Sequence, residues 1–158
     1  MDAALSEPSA DEVRGIAFLC HWCAYAGADN AGVSRFQYPP DLLPIRVMCS
    51  GRVDPFHILY AFLKGADGVF IGACHPGDCH YIIGNQLMKK KVDNLKRMIE
   101  DYHFDSRRLR VEWISASEGR KFAESIQEFV ELLRNLGPNP LRTGLITKGI
   151  HTIERGVT

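Results

Sequence analysis

Five cysteines are the residues of this sequence whose type and spacing indicate chemistry. Two of them bound the short motif Cys20-His-Trp-Cys23, two bound the motif Cys74-His-Pro-Gly-Asp-Cys79, and Cys49 lies between these motifs. Two closely spaced thiolates can chelate one iron, and a [2Fe–2S] cluster needs four thiolates in all. The pattern therefore predicts a metal or iron–sulfur site.

The four favoured ligands form two chelating pairs, one for each iron, which leaves Cys49 as a spare or alternate ligand. They are Cys20, Cys23, Cys74 and Cys79. A four-cysteine zinc site accepts similar spacings, and Cys20 with Cys23 could instead form a redox dithiol. A zinc-bound structural or scaffolding module and a flavodoxin-like dithiol oxidoreductase are therefore the alternatives.

The residues beside the cysteines suit thiolate chemistry. The turn Pro76-Gly77-Asp78 can aim backbone N–H groups at sulfur, and Cys79 is expected where a helix begins, which favours negative charge. His21, His75 and His80 adjoin cysteines. Because adjacent side chains at a strand end point in opposite directions, packing or hydrogen bonding is favoured over ligation for these histidines. The sequence shows no Ser/His/Asp series and no carboxylate pair, so we expect no catalytic site of the chain's own.

Four short apolar, β-branched segments predict the strands that position the cysteines. They are Ile16–Cys20, Ile45–Cys49, Val69–Cys74 and Leu109–Ser115. Three of these segments end in a cysteine, and the carboxyl ends of parallel strands meet at one edge of a sheet. We therefore expect cysteines from distant parts of the sequence to converge there.

Helical patterns separate the later strands. Phe56–Lys64 follows the start signal Asp54-Pro55, and Tyr81–Tyr102 has apolar residues at helical spacing. A third amphipathic helix follows a capping box at Ser115–Glu118 and closes at Gly137-Pro138, whereas Tyr25–Pro44 shows no clear pattern. This order predicts an α/β fold: a single domain with a mainly parallel four-stranded sheet, in a flavodoxin-like or half-Rossmann arrangement, and the cluster at the C-terminal ends of the strands.

Length, composition and charge narrow the class of protein. The chain has 158 residues, of which 46% are hydrophobic and 24% charged, as in one globular domain. Its 19 basic and 19 acidic residues cancel, whereas nucleic-acid-binding proteins show a basic excess. No apolar run suits a membrane span, and the first residues lack the basic and apolar regions of a signal peptide, so we expect a cytoplasmic protein. We predict a flexible arm at 1–14, an iron–sulfur domain at 15–137 and a partner-binding extension at 138–158.

Longer stretches place the cysteine motifs in a distinctive context. They are CHWCAYAGADNAG at 20–32, RVMCSGRVDP at 46–55, GADGVFIGACHPGDCHYIIGN at 65–85 and WISASEGRKF at 113–122. These stretches closely resemble the delta (iron–sulfur) subunit of methyl-viologen-reducing hydrogenase. The resemblance covers residues 15–137 and does not extend to the C-terminal segment.

This resemblance implies one [2Fe–2S] cluster and an electron-transfer subunit of a hetero-oligomeric oxidoreductase complex. The cysteines of the family fall on Cys20, Cys23, Cys49, Cys74 and Cys79. In the family, electrons come from a nickel–iron hydrogenase, or in some lineages from a formate dehydrogenase. They pass to the flavin of the heterodisulfide reductase A subunit, where flavin-based electron bifurcation occurs, in the methanogenesis of archaea and in some anaerobic bacteria.

Overall fold

Strands and helices alternate along the part of the chain, residues 13–142, that this computed structural model describes. Its four strands are β1 (Gly15–Cys20), β2 (Leu42–Val47), β3 (Gly68–Ala73) and β4 (Leu109–Trp113). Its four α-helices are α1 (Ala26–Val33), α2 (Pro55–Leu63), α3 (Gly84–Asp101) and α4 (Gly119–Leu136). The predicted α/β class is confirmed.

Parallel pairing joins the strands in the order β2-β1-β3-β4. The predicted parallel four-stranded sheet is therefore confirmed, and this order begins a flavodoxin-like sheet. The connections switch sides between β1 and β3, and a crevice opens beyond the carboxyl ends of the strands at such a point. Cys20 ends β1 and Cys74 directly follows β3, so the two cysteines flank the crevice.

Helices cover both faces of the sheet. On one face, Leu19 of β1 packs in a cluster with Phe129 of α4. On the other face, Ile71 of β3 packs in a cluster with Met88 of α3 and residues of α2. All residues of β3 are buried, which explains why its sequence is continuously apolar rather than alternating.

Helix α1 lies in the segment for which the sequence shows no pattern. Its sequence, AGADNAGV, has small residues and two glycines in place of an amphipathic stripe, because it packs closely on α4 and the chain before it. A Cβ on Gly27 would lie 2.9 Å from the backbone oxygen of Ser115, and a Cβ on Gly119 would overlap Asn30. Such close approach needs glycine.

Three other elements begin several residues from their predicted starts, whereas the remaining starts agree within one residue. Strand β2 covers Leu42–Val47 rather than Ile45–Cys49, and as an edge strand it tolerates the proline within it. Helix α3 begins at Gly84 rather than Tyr81, because residues 81–83 form tight turns. Helix α4 begins at Gly119, and only one half of the expected capping box forms, in which Ser115 N–H donates to the Glu118 carboxylate at 2.7 Å.

The chain after α4 is anchored at the amino edge of the sheet. Asn139 is completely buried, and its side chain donates to the backbone oxygens of Phe62 (2.9 Å) and Ala66 (2.7 Å). Asp67 accepts from Asn139 N–H at 2.7 Å and from Arg142 at 2.9 Å. The first residues of the predicted extension, 138–142, therefore pack on the domain.

The two ends of the chain, 1–12 and 143–158, lie outside the described residues. Most of the predicted N-terminal arm and most of the predicted partner-binding extension therefore fall there, and both stay predictions. Within residues 13–142, no helix combines the length and the apolar character that crossing a membrane requires.

Candidate metal centre

All five cysteine side chains are buried at the carboxyl edge of the sheet. Cys20 and Cys74 lie at the ends of β1 and β3, and Cys49 follows β2 by two residues. Cys23 belongs to a π-helical turn, His21–Tyr25, which directly continues β1. Single π-helical turns of this kind are frequent at functional sites. Cys79 lies in the loop between β3 and α3.

Three of the cysteines form a compact group. The sulfurs of Cys20, Cys23 and Cys74 all lie within 4.8 Å of one another, and those of Cys20 and Cys74 are 3.7 Å apart. Thiolates with iron or zinc between them adopt such separations, because metal–sulfur bonds are about 2.3 Å long. Residues 54 positions apart in sequence are brought together here by the pairing of β1 with β3.

Cys49 and Cys79 meet at the first residue of α3, Gly84. A Cβ on Gly84 would overlap the Cys49 sulfur and lie 3.4 Å from the Cys79 sulfur. The charge of Cys49 also interacts with Cys79 and with Cys20, so this pair adjoins the group of three. The structure thus groups Cys74 with Cys20 and Cys23 and places Cys79 beside Cys49; which of the five are ligands stays a prediction.

Close packing of the thiols changes their acidity. A hydrogen bond from the Cys23 thiol lowers the pKa of Cys20 to about 5, and the same bond raises the pKa of Cys23. Burial raises the pKa of Cys74 to about 11 and also raises the pKa of Cys49. Without a metal, Cys20 is therefore the cysteine of this group that favours the thiolate form, while Cys23 and Cys74 keep their protons. Binding a metal must release these protons.

Backbone N–H groups point at the sulfurs, as such chemistry requires. Gly51 N–H donates to the Cys49 sulfur at 3.4 Å, and the nearby N–H groups of Trp22 and Ser50 favour the thiolate of Cys20 and lower its pKa. The N–H of His80 acts in the same direction on the pKa of Cys74. Within the turn Pro76-Gly77-Asp78, by contrast, the Asp78 N–H donates to the His75 oxygen at 3.0 Å and not to a sulfur. The N–H groups directed at sulfur thus belong to residues that follow Cys20, Cys49 and Cys79, rather than to the predicted turn.

The histidines beside the cysteines pack and form hydrogen bonds. His75 bonds the Glu118 carboxylate at 2.6 Å and thereby holds the pKa of Glu118 at about 2. His80 stacks on Trp22 with ring centroids 3.9 Å apart. Both lie on a cavity of about 260 Å³ that also reaches Cys23 and Cys74. Both histidines therefore pack or form hydrogen bonds in this structure, and that neither is a metal ligand stays a prediction.

The residues present fit a thiolate-held metal or cluster. Among the described residues, two buried side-chain atoms of this region, His21 Nδ1 and Ser50 Oγ, have no hydrogen-bond partner. Each belongs to the residue next to a cysteine, and buried polar atoms of this kind normally find an acceptor or donor. Together with the five thiols and the side-chain-free Gly84, they form a soft-ligand site with spare hydrogen-bonding capacity.

Comparison with known proteins places the chain in a family. Residues 16–137 match the family described as methyl-viologen-reducing hydrogenase, delta subunit. The chain belongs to this family. The matched range includes all five cysteines and nearly the whole described domain, so the resemblance seen in the motifs is confirmed.

Relatives of this delta-subunit chain are of two kinds. The vhc iron-sulfur subunit of an F420-non-reducing hydrogenase from Methanococcus voltae is 50% identical over 131 residues, which are 83% of this chain and 91% of the relative. The iron-sulfur subunit of an F420-non-reducing hydrogenase from Archaeoglobus profundus is 46% identical over 78% of this chain and 90% of its own. The A subunit of the Ferredoxin/F(420)H(2)-dependent CoB-CoM heterodisulfide reductase of Methanosarcina acetivorans is 50% identical over 123 residues, which are 78% of this chain but 16% of the longer protein.

Two functional positions of the delta-subunit domain are not apparent from the cysteine spacing. Gly84 provides the space for the Cys49 and Cys79 sulfurs, and Ser50 supplies an N–H group and an unpartnered hydroxyl. The sequence does offer one signal for Ser50, which is the pair of small residues Ser50-Gly51 directly after Cys49. Small residues let the backbone approach a buried site closely.

Proposed function

We propose that this chain is an electron-transfer subunit that carries one [2Fe–2S] cluster at the carboxyl edge of its sheet. The observation that carries the proposal is the convergence of the cysteine sulfurs, three of them within 4.8 Å and the other two beside Gly84. When bound, such a cluster supplies a reversible one-electron couple. The chain's own residues hold it, exclude water from it and donate hydrogen bonds to its sulfurs.

Three ligands in this proposal are the cysteines of the compact group, Cys20, Cys23 and Cys74. Cys79 is the fourth, as its spacing from Cys74 suggests, and Cys49 is the alternate. The N–H groups directed at sulfur stabilise thiolate charge and raise the potential of the couple relative to an unassisted cluster. Burial of all five side chains acts in the opposite direction, because a low dielectric disfavours the more negative, reduced state.

The partners in this proposal are a hydrogenase, or a formate dehydrogenase, as donor and a heterodisulfide reductase A subunit as acceptor. Relatives of this domain are named as hydrogenase iron–sulfur subunits, and others form part of a heterodisulfide reductase A chain. A domain found in both settings is suited to connecting them. We further propose that the acceptor is the flavin of a bifurcating A subunit and that the complex is cytoplasmic.

Anaerobic purification of the full chain tests the proposal. We expect a brown protein with two irons and two sulfides per chain and a paramagnetic signal on one-electron reduction. Reduced protein mixed with the A subunit should lose this signal. A colourless zinc protein would support the structural module instead, and a metal-free chain that reduces disulfides would support the dithiol enzyme.

A further inference from the structure

An exposed apolar rim borders the cysteine site. The rim consists of Trp22, Tyr81, Ile82, Ile83 and Leu87. Its members are linked by contacts: Trp22 stacks on His80, the His80 ring meets Tyr81 edge-on, and Leu87 lies one helical turn from Ile83. The rim is therefore one continuous patch, and exposed apolar patches of this kind mark interaction sites.

Ile82, in the middle of the rim, has a backbone conformation that isoleucine disfavours. Its φ is +69°, and Ile83 N–H donates to the Tyr81 oxygen at 2.8 Å, so Ile82 is the central residue of a rare, positive-φ γ-turn. A β-branched residue is strained there, whereas glycine is not. The side chain is nevertheless 79% exposed. The turn thus holds a strained apolar side chain in water, and such strain clusters at functional sites.

The rim is connected to the cysteines through the backbone. Ile82 N–H donates to the Cys79 oxygen at 2.8 Å, and Gly84, two residues further, adjoins the sulfurs of Cys49 and Cys79. Trp22 lies between Cys20 and Cys23 in the sequence. A protein that covers the rim therefore comes close to the site from which electrons leave, which an electron-transfer contact requires.

We propose that the rim docks the electron acceptor, a heterodisulfide reductase A subunit whose surface offers an apolar pocket to Ile82. This inference rests on the proposed function. The Methanosarcina A subunits carry the related domain in the same chain, where the covalent link supplies a high effective concentration. The hydrogenase iron-sulfur subunits, of which this chain covers 91% and 90%, do not contain an A subunit, so a surface on the domain itself must supply the contact there.

The chemistry of the rim specifies the chemistry of its partner. From residue 79 to residue 88 the sequence contains no Asp, Glu, Lys or Arg. Contact with this segment therefore buries apolar surface and forms few ion pairs, so the affinity should depend weakly on salt. Docking through the lysines at 89–91 would instead weaken steeply as salt is added.

The test measures binding of the cluster-loaded full chain to the A subunit of the same organism, by titration at low and high salt. The variants are Ile82→Asn, since asparagine tolerates positive φ, and Leu87→Asp, since an acidic residue is accepted near the start of a helix. Both should weaken binding at least tenfold with unchanged iron content, and Ile82→Asn should not lower the melting temperature. Val33→Asn, an exposed apolar position on α1 outside the rim, is the matched control and should change binding less than twofold.

Each of the other possible outcomes contradicts a different part of the proposal. If the wild-type chain binds the A subunit and both rim variants bind equally well, the rim is refuted while the proposed function stands. If the variants lose affinity for the hydrogenase and keep it for the A subunit, the assigned occupant is wrong. If the wild-type chain does not bind or reduce the A subunit, the partner in the proposed function fails, and the rim assignment fails with it.

Discussion

Replacing Gly84 by alanine tests whether the cysteine sulfurs lie against the start of helix α3. The added Cβ would fall inside the 3.0 Å at which real Cβ contacts essentially end, against the Cys49 sulfur, and 3.4 Å from the Cys79 sulfur. The surroundings of this sulfur are crowded as well, because a Cβ on Gly51 would lie 2.9 Å from the Gly84 oxygen. Either the Cys49 sulfur or the start of helix α3 must therefore shift.

The size of the effect follows from two opposing terms. Overpacking a close-packed site costs about 1–3 kcal/mol, whereas replacing a helical glycine by alanine gains at most roughly 1 kcal/mol. The clash therefore outweighs the gain. If the remaining cost, at most about 3 kcal/mol, falls on the cluster-bound form, retention of the cluster weakens by up to about 150-fold. Gly32→Ala in α1 is the matched control, because a Cβ there meets nothing within 4 Å.

The assay is iron and sulfide per chain, followed over time during challenge with an iron chelator. Gly84→Ala should lose iron faster than both wild type and Gly32→Ala. Adding Cys49→Ala to Gly84→Ala removes the clashing sulfur and should restore retention, if Cys49 is the spare cysteine. Unchanged iron in Gly84→Ala refutes the contact between Gly84 and the sulfurs, and failure of the double variant to recover refutes the choice of ligands.

Four further predictions concern the ligands, the hydrogen bonds, the turn and the tail. Cys74→Ser should lose the cluster and its reduced-state signal, whereas Cys49→Ser should keep both; the reverse outcome would exchange their roles. Ser50→Ala should lower the midpoint potential by roughly 20–65 mV, the equivalent of one hydrogen bond of about 0.5–1.5 kcal/mol, and an unchanged potential in redox titration would mean that the hydroxyl donates elsewhere. Gly77→Val should reduce cluster occupancy through backbone strain of about 1–3 kcal/mol, because Gly77 has φ +95° in otherwise open space, while Gly77→Asn should be milder. Deletion of 143–158 should leave the cluster spectrum intact but reduce co-purification with the redox partners, whereas a deletion that includes Asn139 should also lower the melting temperature, since its buried hydrogen bonds are lost.

Much of the fold could be predicted because local patterns and tertiary packing agree. Strand β3 is buried on both faces, so its sequence is continuously apolar. Helix α4 has one solvent-exposed face and one buried face, so its apolar residues recur at helical spacing. Helix α1 could not be predicted. Its small residues are selected by contact with Ser115 and α4, and nothing within the helix reveals that contact.

The sequence by itself determined the chemistry of this protein and the edge at which that chemistry gathers. Five cysteines are the only soft ligands in such short motifs, and three of them end predicted strands that a parallel sheet must align at one edge. Tertiary structure alone decided how the cysteines are grouped. Spacing pairs Cys74 with Cys79, but pairing of β1 with β3 brings Cys74 to Cys20, and the loop before α3 carries Cys79 to Cys49 at Gly84. Chain separation limits how far apart two sulfurs can be, whereas only the folded backbone determines which of them meet.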